Sequence, residues 1–160
     1  MQPRTCGECT VCCEVMAVYA LAKPGWARCE HQCAEGCGIY PERPEECRSF
    51  ECGWLAGFLS ESEQHRPDHN GMMFVMWNPR RIWTVEVRPQ AFRAEIVRSV
   101  AEQYPDSDWE IFLHKDTVPM HVDGLLVRRA DLDRLEELVE EYRSRWRCKP
   151  GAERNRSHRR

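Results

Sequence analysis

Cys6-Gly7-Glu8-Cys9-Thr10-Val11-Cys12-Cys13 spells C-x2-C-x2-C-C, four thiols within eight residues. Two residues between cysteines let a tight turn aim both sulfurs at one ion while backbone N–H groups stay available to the thiolates. Zinc sites and iron–sulfur clusters both use this spacing. A single C-x-x-C could serve as a redox pair instead, but four thiols at this density, with more nearby, favour a metal. Further along stand Cys29, Cys33, Cys37, Cys47 and Cys52, so nine of the ten cysteines lie between Cys6 and Cys52, and only Cys148 lies outside. A tetrahedral zinc takes four ligands, so eight well-placed thiols suit two such sites, or one four-iron cluster with thiols to spare.

The thiols are surplus to folding needs. A chain of 160 residues suits one domain and can bury a core without staples. The first residues contain no apolar core of a secretory signal. The longest apolar stretches, such as Met72 to Trp77, are far too short to span a bilayer. These features predict a cytoplasmic protein, and in that compartment clustered cysteines read as metal ligands or redox groups, not disulfides. The net charge of -3 makes no global case for nucleic acid or membrane as a partner.

Proline and glycine punctuate the cysteine segment (Pro24-Gly25, Gly36, Gly38, Pro41, Pro44), which predicts loops and short turns. Trp54, Leu55, Phe58 and Leu59 fall at helical spacing and predict a short helix after Cys52 that ends by Pro67. Met72 to Trp77 and Ile82 to Val87 are β-prone runs separated by Asn78-Pro79-Arg80-Arg81, a hairpin with a four-residue turn. From Pro89 a helix can begin, and Phe92, Ile96, Val100 and Tyr104 mark its buried face. Trp109 to Leu113 reads as a strand, with weaker ones at Met120 to Val122 and Leu125 to Val127 around the turn Asp123-Gly124. Trp77, Trp83 and Trp109 fit the core of this sheet better than a stacking platform. The last helix is the clearest: Asp131 as N-cap, then Leu132, Leu135, Val139, Tyr142 and Trp146 as a stripe, acidic at its start and basic at its end. The fold class expected is α+β. An irregular cysteine-rich metal-binding segment (1–66) joins a small antiparallel sheet with two or three helices (67–149), and a disordered basic tail (150–160) follows.

Other candidate ligands are weaker. His31, two residues after Cys29, reads as a loop histidine before a ligand. His65 and His69 look like an i, i+4 pair, but Pro67 between them opposes the helix such a pair needs. His114 and His121 have no cysteine near them in sequence, and Cys148, at a helix end far from the cluster, is not expected to be a ligand. Four thiolates on one zinc leave a charge of about -2, which needs donors around it. Arg28, Arg43 and Arg48 lie beside the cysteines, and Arg48, directly after Cys47, is the leading candidate.

Taken together, C-x2-C-x2-C-C at Cys6 to Cys13, then Cys29, Cys37-Gly38-Ile39-Tyr40, Arg43-Pro44-x2-Cys47-Arg48 and Phe50-x-Cys52 resemble the YkgJ-like cysteine-cluster family, described as chelating zinc or iron. The resemblance covers roughly Cys6 to Trp54, about a third of the chain. It implies Cys6, Cys9, Cys12, Cys13, Cys29, Cys37, Cys47 and Cys52 as the chelating set. Cys33 is additional, and the Cys13 to Cys29 connection is short.

The function expected is therefore a metal-binding cysteine-cluster protein, holding zinc or an iron–sulfur cluster that is at least partly structural. The alternative is an iron–sulfur redox protein or oxidoreductase component. Whether the chain is an enzyme stays open: the C-x3-C-x2-C signature of radical clusters is absent, as are a Gly-rich phosphate loop and a nucleophile elbow. A nucleic-acid-binding zinc protein is the third reading, supported only by the arginine-rich stretch from Arg143 to Arg160.

Overall fold

A computed structural model describes residues 4–57, 59, 65–114 and 124–147. The expected strand at Met120 to Val122, together with Phe58, His121, Cys148 and the 150–160 tail, lies outside them. The architecture is α+β, and the described residues form five α-helical segments, a two-stranded sheet and a four-stranded sheet. No helix among the described residues is long and apolar enough to cross a membrane.

The larger sheet contains β3 (Met72–Asn78), β4 (Arg81–Glu86), β5 (Asp108–Phe112) and β6 (Leu125–Val127), in that order. It is mixed, not antiparallel as expected. The outer pairs run antiparallel, but β4 and β5 are parallel, with Ile82 opposite Trp109 and Thr84 opposite Ile111. The reason is the helix α4 (Ala94–Gln103) between them: it carries the chain back to the starting end, and parallel neighbours require such a crossover. The β3–β4 hairpin is present, but its turn is tighter than expected. Asn78 still pairs with Arg81, which leaves Pro79-Arg80 as the loop, and Asn78 Oδ1 accepts the Arg80 N–H at 2.9 Å.

Both faces of the sheet are covered. Met72 and Phe74 of β3, Ile82 of β4, Trp109 and Ile111 of β5 and Val127 of β6 face the main core with α4 and α5 (Leu135–Arg147). Met73, Val85 and Phe112 face the other way, where Val11 and Val15 of the cysteine segment pack on them. This explains why Met72, Met73 and Phe74 are buried in succession: a strand covered on both faces need not alternate. Trp109 is a core residue, as expected. Trp77 is not: it is 59 % exposed, beyond the reach of the covering segment, and it stacks on the half-buried Trp83 at 4.2 Å.

The helices correct three further expectations. In α4 the buried face is Ala94, Val97, Val100 and Ala101, whereas Phe92, Ile96 and Tyr104 are only half-buried. The two alanines present the thinnest side of the helix to the sheet, and the larger residues flank that contact. Asp131 is not an N-cap but lies inside a 3-10 segment, Arg129–Arg134, that leads into α5; Asp108 of β5 accepts the Arg129 N–H at 3.1 Å and pins this entry. Leu132, Leu135 and Val139 are buried and Tyr142 half-buried, as the stripe predicts. Residues 53–57, at the start of the expected helix, form turns, and Gly53 donates to Phe74 O at 2.6 Å, which draws the chain against β3; residues 58 and 60–64 of that stretch lie outside the described ones. Trp54 and Leu59 are nevertheless in the core. Pro67 opens the short helix α3 (Pro67–Asn70), so no helix spans His65 and His69.

Glu86 ties these layers together. Its carboxylate is fully buried at the end of β4 and accepts from Phe92 N and His114 N, each at 2.9 Å, and from Arg143 Nη2 at 2.8 Å. One acid thus holds the approach to α4, the chain leaving β5, and α5. Truncating Arg143 leaves a buried carboxylate without its counter-charge, so Arg143→Ala should cost about 3 kcal/mol in urea unfolding. The double variant Glu86→Gln with Arg143→Leu should cost less than Arg143→Ala alone. A loss below about 0.5 kcal/mol for Arg143→Ala would place this pair among ion pairs that contribute little.

Candidate metal centre

The cysteine segment is assembled from turns, each with a local cause. Gly7 adopts a left-handed backbone, φ +53°, and lets Cys9 N–H close back on Cys6 O at 2.9 Å. The helix α1 (Val11–Val15) follows; Val11 and Val15 face the sheet, and this leaves Cys12 and Cys13 on its flanks. After α1 the chain loops through Val18 and Lys23, whose backbones pair in both directions, and returns so that Cys29 N–H meets Cys13 O at 3.1 Å. A small antiparallel hairpin, β1 (Gln32–Cys33) and β2 (Gly36–Cys37), places Cys37 opposite Gln32. A side chain at Gly36 would come within 2.8 Å of Gly7 O, so this glycine lets the hairpin lie against the Cys6–Cys9 turn. Cys47 then sits on the short helix α2 (Glu45–Ser49), with Cys52 just before the Gly53 contact to β3.

These turns surround one cavity of about 430 Å³. Cys6, Cys9, Cys12, Cys13, Cys29, Cys37, Cys47 and Cys52 all line it. Of the described cysteines only Cys33 does not; it is exposed, its Sγ 3.3 Å from Gly36 O. All nine described cysteines are free thiols. Among the described residues no group of three or more His, Cys, Asp or Glu side chains stands ready to hold a metal ion. A tetrahedral zinc with sulfurs at about 2.3 Å needs its thiolates about 3.8 Å apart, so the thiols around this cavity would have to close in. The donor set itself, eight free thiols on one cavity, fits a thiophilic metal.

The electrostatics favour a cation. Burial pushes the Cys9 thiol up to about 11. Cys12 is pushed well above the ordinary thiol range because it donates to Cys13 and is buried. Its partner Cys13 is lowered by accepting that hydrogen bond and by nearby Lys23, against the opposing effect of burial. Cys47 is raised by burial and by the thiols of Cys13, Cys37 and Cys29, and Cys52 by burial and, more weakly, by Cys6. Thiols this crowded resist ionising together, and a bound cation reverses that preference.

Lys23 is a contributor that sequence reasoning missed. It is 7 % exposed, lines the cavity, and its Nζ donates to the backbone oxygens of Glu14, Met16 and Pro24, so it both ends α1 and places a buried positive charge beside Cys13. Nothing in its sequence neighbourhood separates it from a solvated lysine. Arg4 was missed too: it lines the cavity and donates to the Trp54 and Leu59 carbonyls, tying the chain before Cys6 to the chain after Cys52.

The arginines beside the cysteines divide. Arg43 and Arg48 line the cavity, Arg43 lying 3.8 Å over the Tyr40 ring and Arg48 Nε donating to Arg43 O at 2.7 Å. Arg28 does not line it and donates to Gln32 O at 3.3 Å. His31 also lies off the cavity, 3.5 Å from Glu30. His114 stands edge-on to Trp26 at 5.8 Å, and His69 lies beside Asp68 on α3.

Set against protein-family models, curated proteins and solved structures, the chain matches none of them.

Proposed function

We propose that this chain is a metal-binding cysteine-cluster protein whose zinc or iron–sulfur centre is at least partly structural. The observation that carries the reading is that eight thiols scattered from Cys6 to Cys52 line one cavity. They are the same eight that the resemblance to the YkgJ-like cysteine-cluster family implies, and the additional Cys33 stands apart. On this reading these thiols are reduced, as in the cytoplasm, where clustered cysteines serve as metal ligands.

Within this reading the thiolates would hold the metal, and the metal would draw together loops that carry little apolar surface of their own. The chain supplies the charge balance: Lys23 buried beside Cys13, with Arg43 and Arg48 on the cavity wall. The raised thiols of Cys9, Cys12, Cys47 and Cys52 would give up protons as metal enters, so binding would weaken as pH falls.

Metal and sulfide analysis of protein purified without oxygen is the direct test. Stoichiometric zinc in a colourless protein supports a structural centre. Iron with sulfide in a brown protein supports the iron–sulfur alternative and a redox role. A folded, reduced protein that holds neither, and takes up neither on addition, overturns the proposal. Complete removal of the metal should make the segment from Cys6 to Cys52 protease-sensitive while the sheet and α5 resist, because binding energy supplies part of the loops' folding energy; unchanged resistance would count against a structural role. Lys23→Met should lower metal affinity about 10- to 100-fold in competition with a chelator, as loss of a supporting charge typically does. At Arg48 the damage should rise in the order Arg48→Lys, Arg48→Ala, Arg48→Glu.

A further inference from the structure

We propose that the eight thiols form two separate four-thiolate centres, Cys6, Cys9, Cys12 and Cys52 in one and Cys13, Cys29, Cys37 and Cys47 in the other, meeting at the Cys12–Cys13 pair. This rests on the metal-binding reading above and assigns which thiols act together.

The backbone sorts the cysteines first. Cys6 and Cys9 share one turn, closed by the Cys9 N–H to Cys6 O bond of 2.9 Å. Arg4 binds the carbonyls of Trp54 and Leu59, so the chain entering Cys6 runs beside the chain leaving Cys52. Cys9 and Cys52 also pack on the same apolar cluster of Val11, Val15, Met73, Val85 and Phe112. On the other side, Cys29 N–H reaches Cys13 O, and Gln32 N–H reaches Cys29 O, both at 3.1 Å. Gln32 is in turn the ladder partner of Cys37, so Cys13, Cys29 and Cys37 form a continuous chain of neighbours. The helix α2 that bears Cys47 is tied to the loop after Cys13 by the Ala20 N–H to Glu46 Oε2 bond of 3.2 Å.

Charge proximity sorts them the same way. Besides burial, the thiols of Cys13, Cys37 and Cys29 and the Glu46 carboxylate raise Cys47. Cys52 feels Cys6, and Cys9 feels Cys52. Cys12, apart from its bond to Cys13, feels Cys6 and Cys9. The seam is the Cys12–Cys13 pair: neighbours on α1 are set off about 100° apart around the helix axis, so one thiol is available to each side. Four thiolates apiece satisfy two tetrahedral ions without any sulfur being shared. Each centre would carry about -2 with a divalent ion, and Lys23 lies by the second.

The test is a titration of the reduced, metal-free full chain with cobalt(II) alone, without oxygen, following thiolate-bound tetrahedral cobalt by absorption and bound cobalt by analysis. Two equivalents are expected for the parent and for Cys33→Ser. Cys47→Ser and Cys52→Ser should each halve the uptake, and the double variant should abolish it. Cys37→Ser paired with Cys6→Ser should likewise abolish it, whereas Cys37→Ser paired with Cys47→Ser should cost one ion only. This within-group pair guards against a single variant that fails to fold. A single equivalent in the parent, loss of both ions on one substitution with far-ultraviolet circular dichroism unchanged, or loss of both ions in the Cys37/Cys47 pair would overturn the partition and favour one shared cluster. No uptake by the parent would overturn the metal-binding reading itself, so the two failures are told apart.

Discussion

The packing of Val11 and Val15 on Met73, Val85 and Phe112 is the contact on which the rest of the site depends. Ordering a residue costs about 1–2 kcal/mol of backbone entropy, and the loops from Cys6 to Cys52 bury few apolar side chains to offset it. Those they do bury are concentrated on α1 and at the sheet's second face, so the segment is anchored where two of its cysteines, Cys12 and Cys13, emerge. The other thiols are reached by turns that radiate from this anchor and close on it through backbone hydrogen bonds. The sheet is thus less a separate unit than the floor on which the thiols are arranged.

The same contact explains an asymmetry between the faces of the sheet. The helix face is covered by the apolar residues of α4 and α5 and by a buried ion pair, Glu86 with Arg143, whose carboxylate also accepts two backbone N–H groups. Every strong demand of that acid is met locally. The thiol face is the reverse: its polar groups are crowded, buried and mutually repelling when ionised, and their balance depends on cations. Lys23 meets part of that need from within the chain. One face of the fold is thus self-sufficient, while the other crowds thiols around a buried lysine, which is the contrast on which the metal-binding proposal rests.

Much of this was legible in the sequence because local periodicity carries it. The β3–β4 hairpin, the strand around Trp109 and the Leu132–Leu135–Val139 stripe were readable from alternation and helical spacing. The parallel pairing of β4 with β5 was not, because strand direction depends on where α4 returns the chain and not on the strands' own residues. In α4 the four-residue recurrence finds Val100 and the half-buried Phe92, Ile96 and Tyr104 at the rim of the contact, but not its centre, where Ala94 and Ala101 are buried for being small. The eight thiols that line the cavity are the set that the resemblance implies, to which Cys33 is additional; spacing alone leaves the choice among the nine open. Lys23 and Arg4 were invisible, since a cation's burial follows from which distant carbonyls the fold brings to it.

The stacked indoles of Trp77 and Trp83, nearly parallel at an interplanar angle of 5°, acquire a use from their position. Trp83 also meets Phe112 edge-on at 5.4 Å, and Phe112 belongs to the cluster against which Cys9 and Cys52 pack. Light absorbed by this pair is therefore released beside the thiol face of the sheet. A closed-shell ion held there would leave the emission bright, whereas an absorbing iron–sulfur centre would drain it by energy transfer. Should the cysteines hold a metal, the indole pair would serve as an optical gauge of which kind.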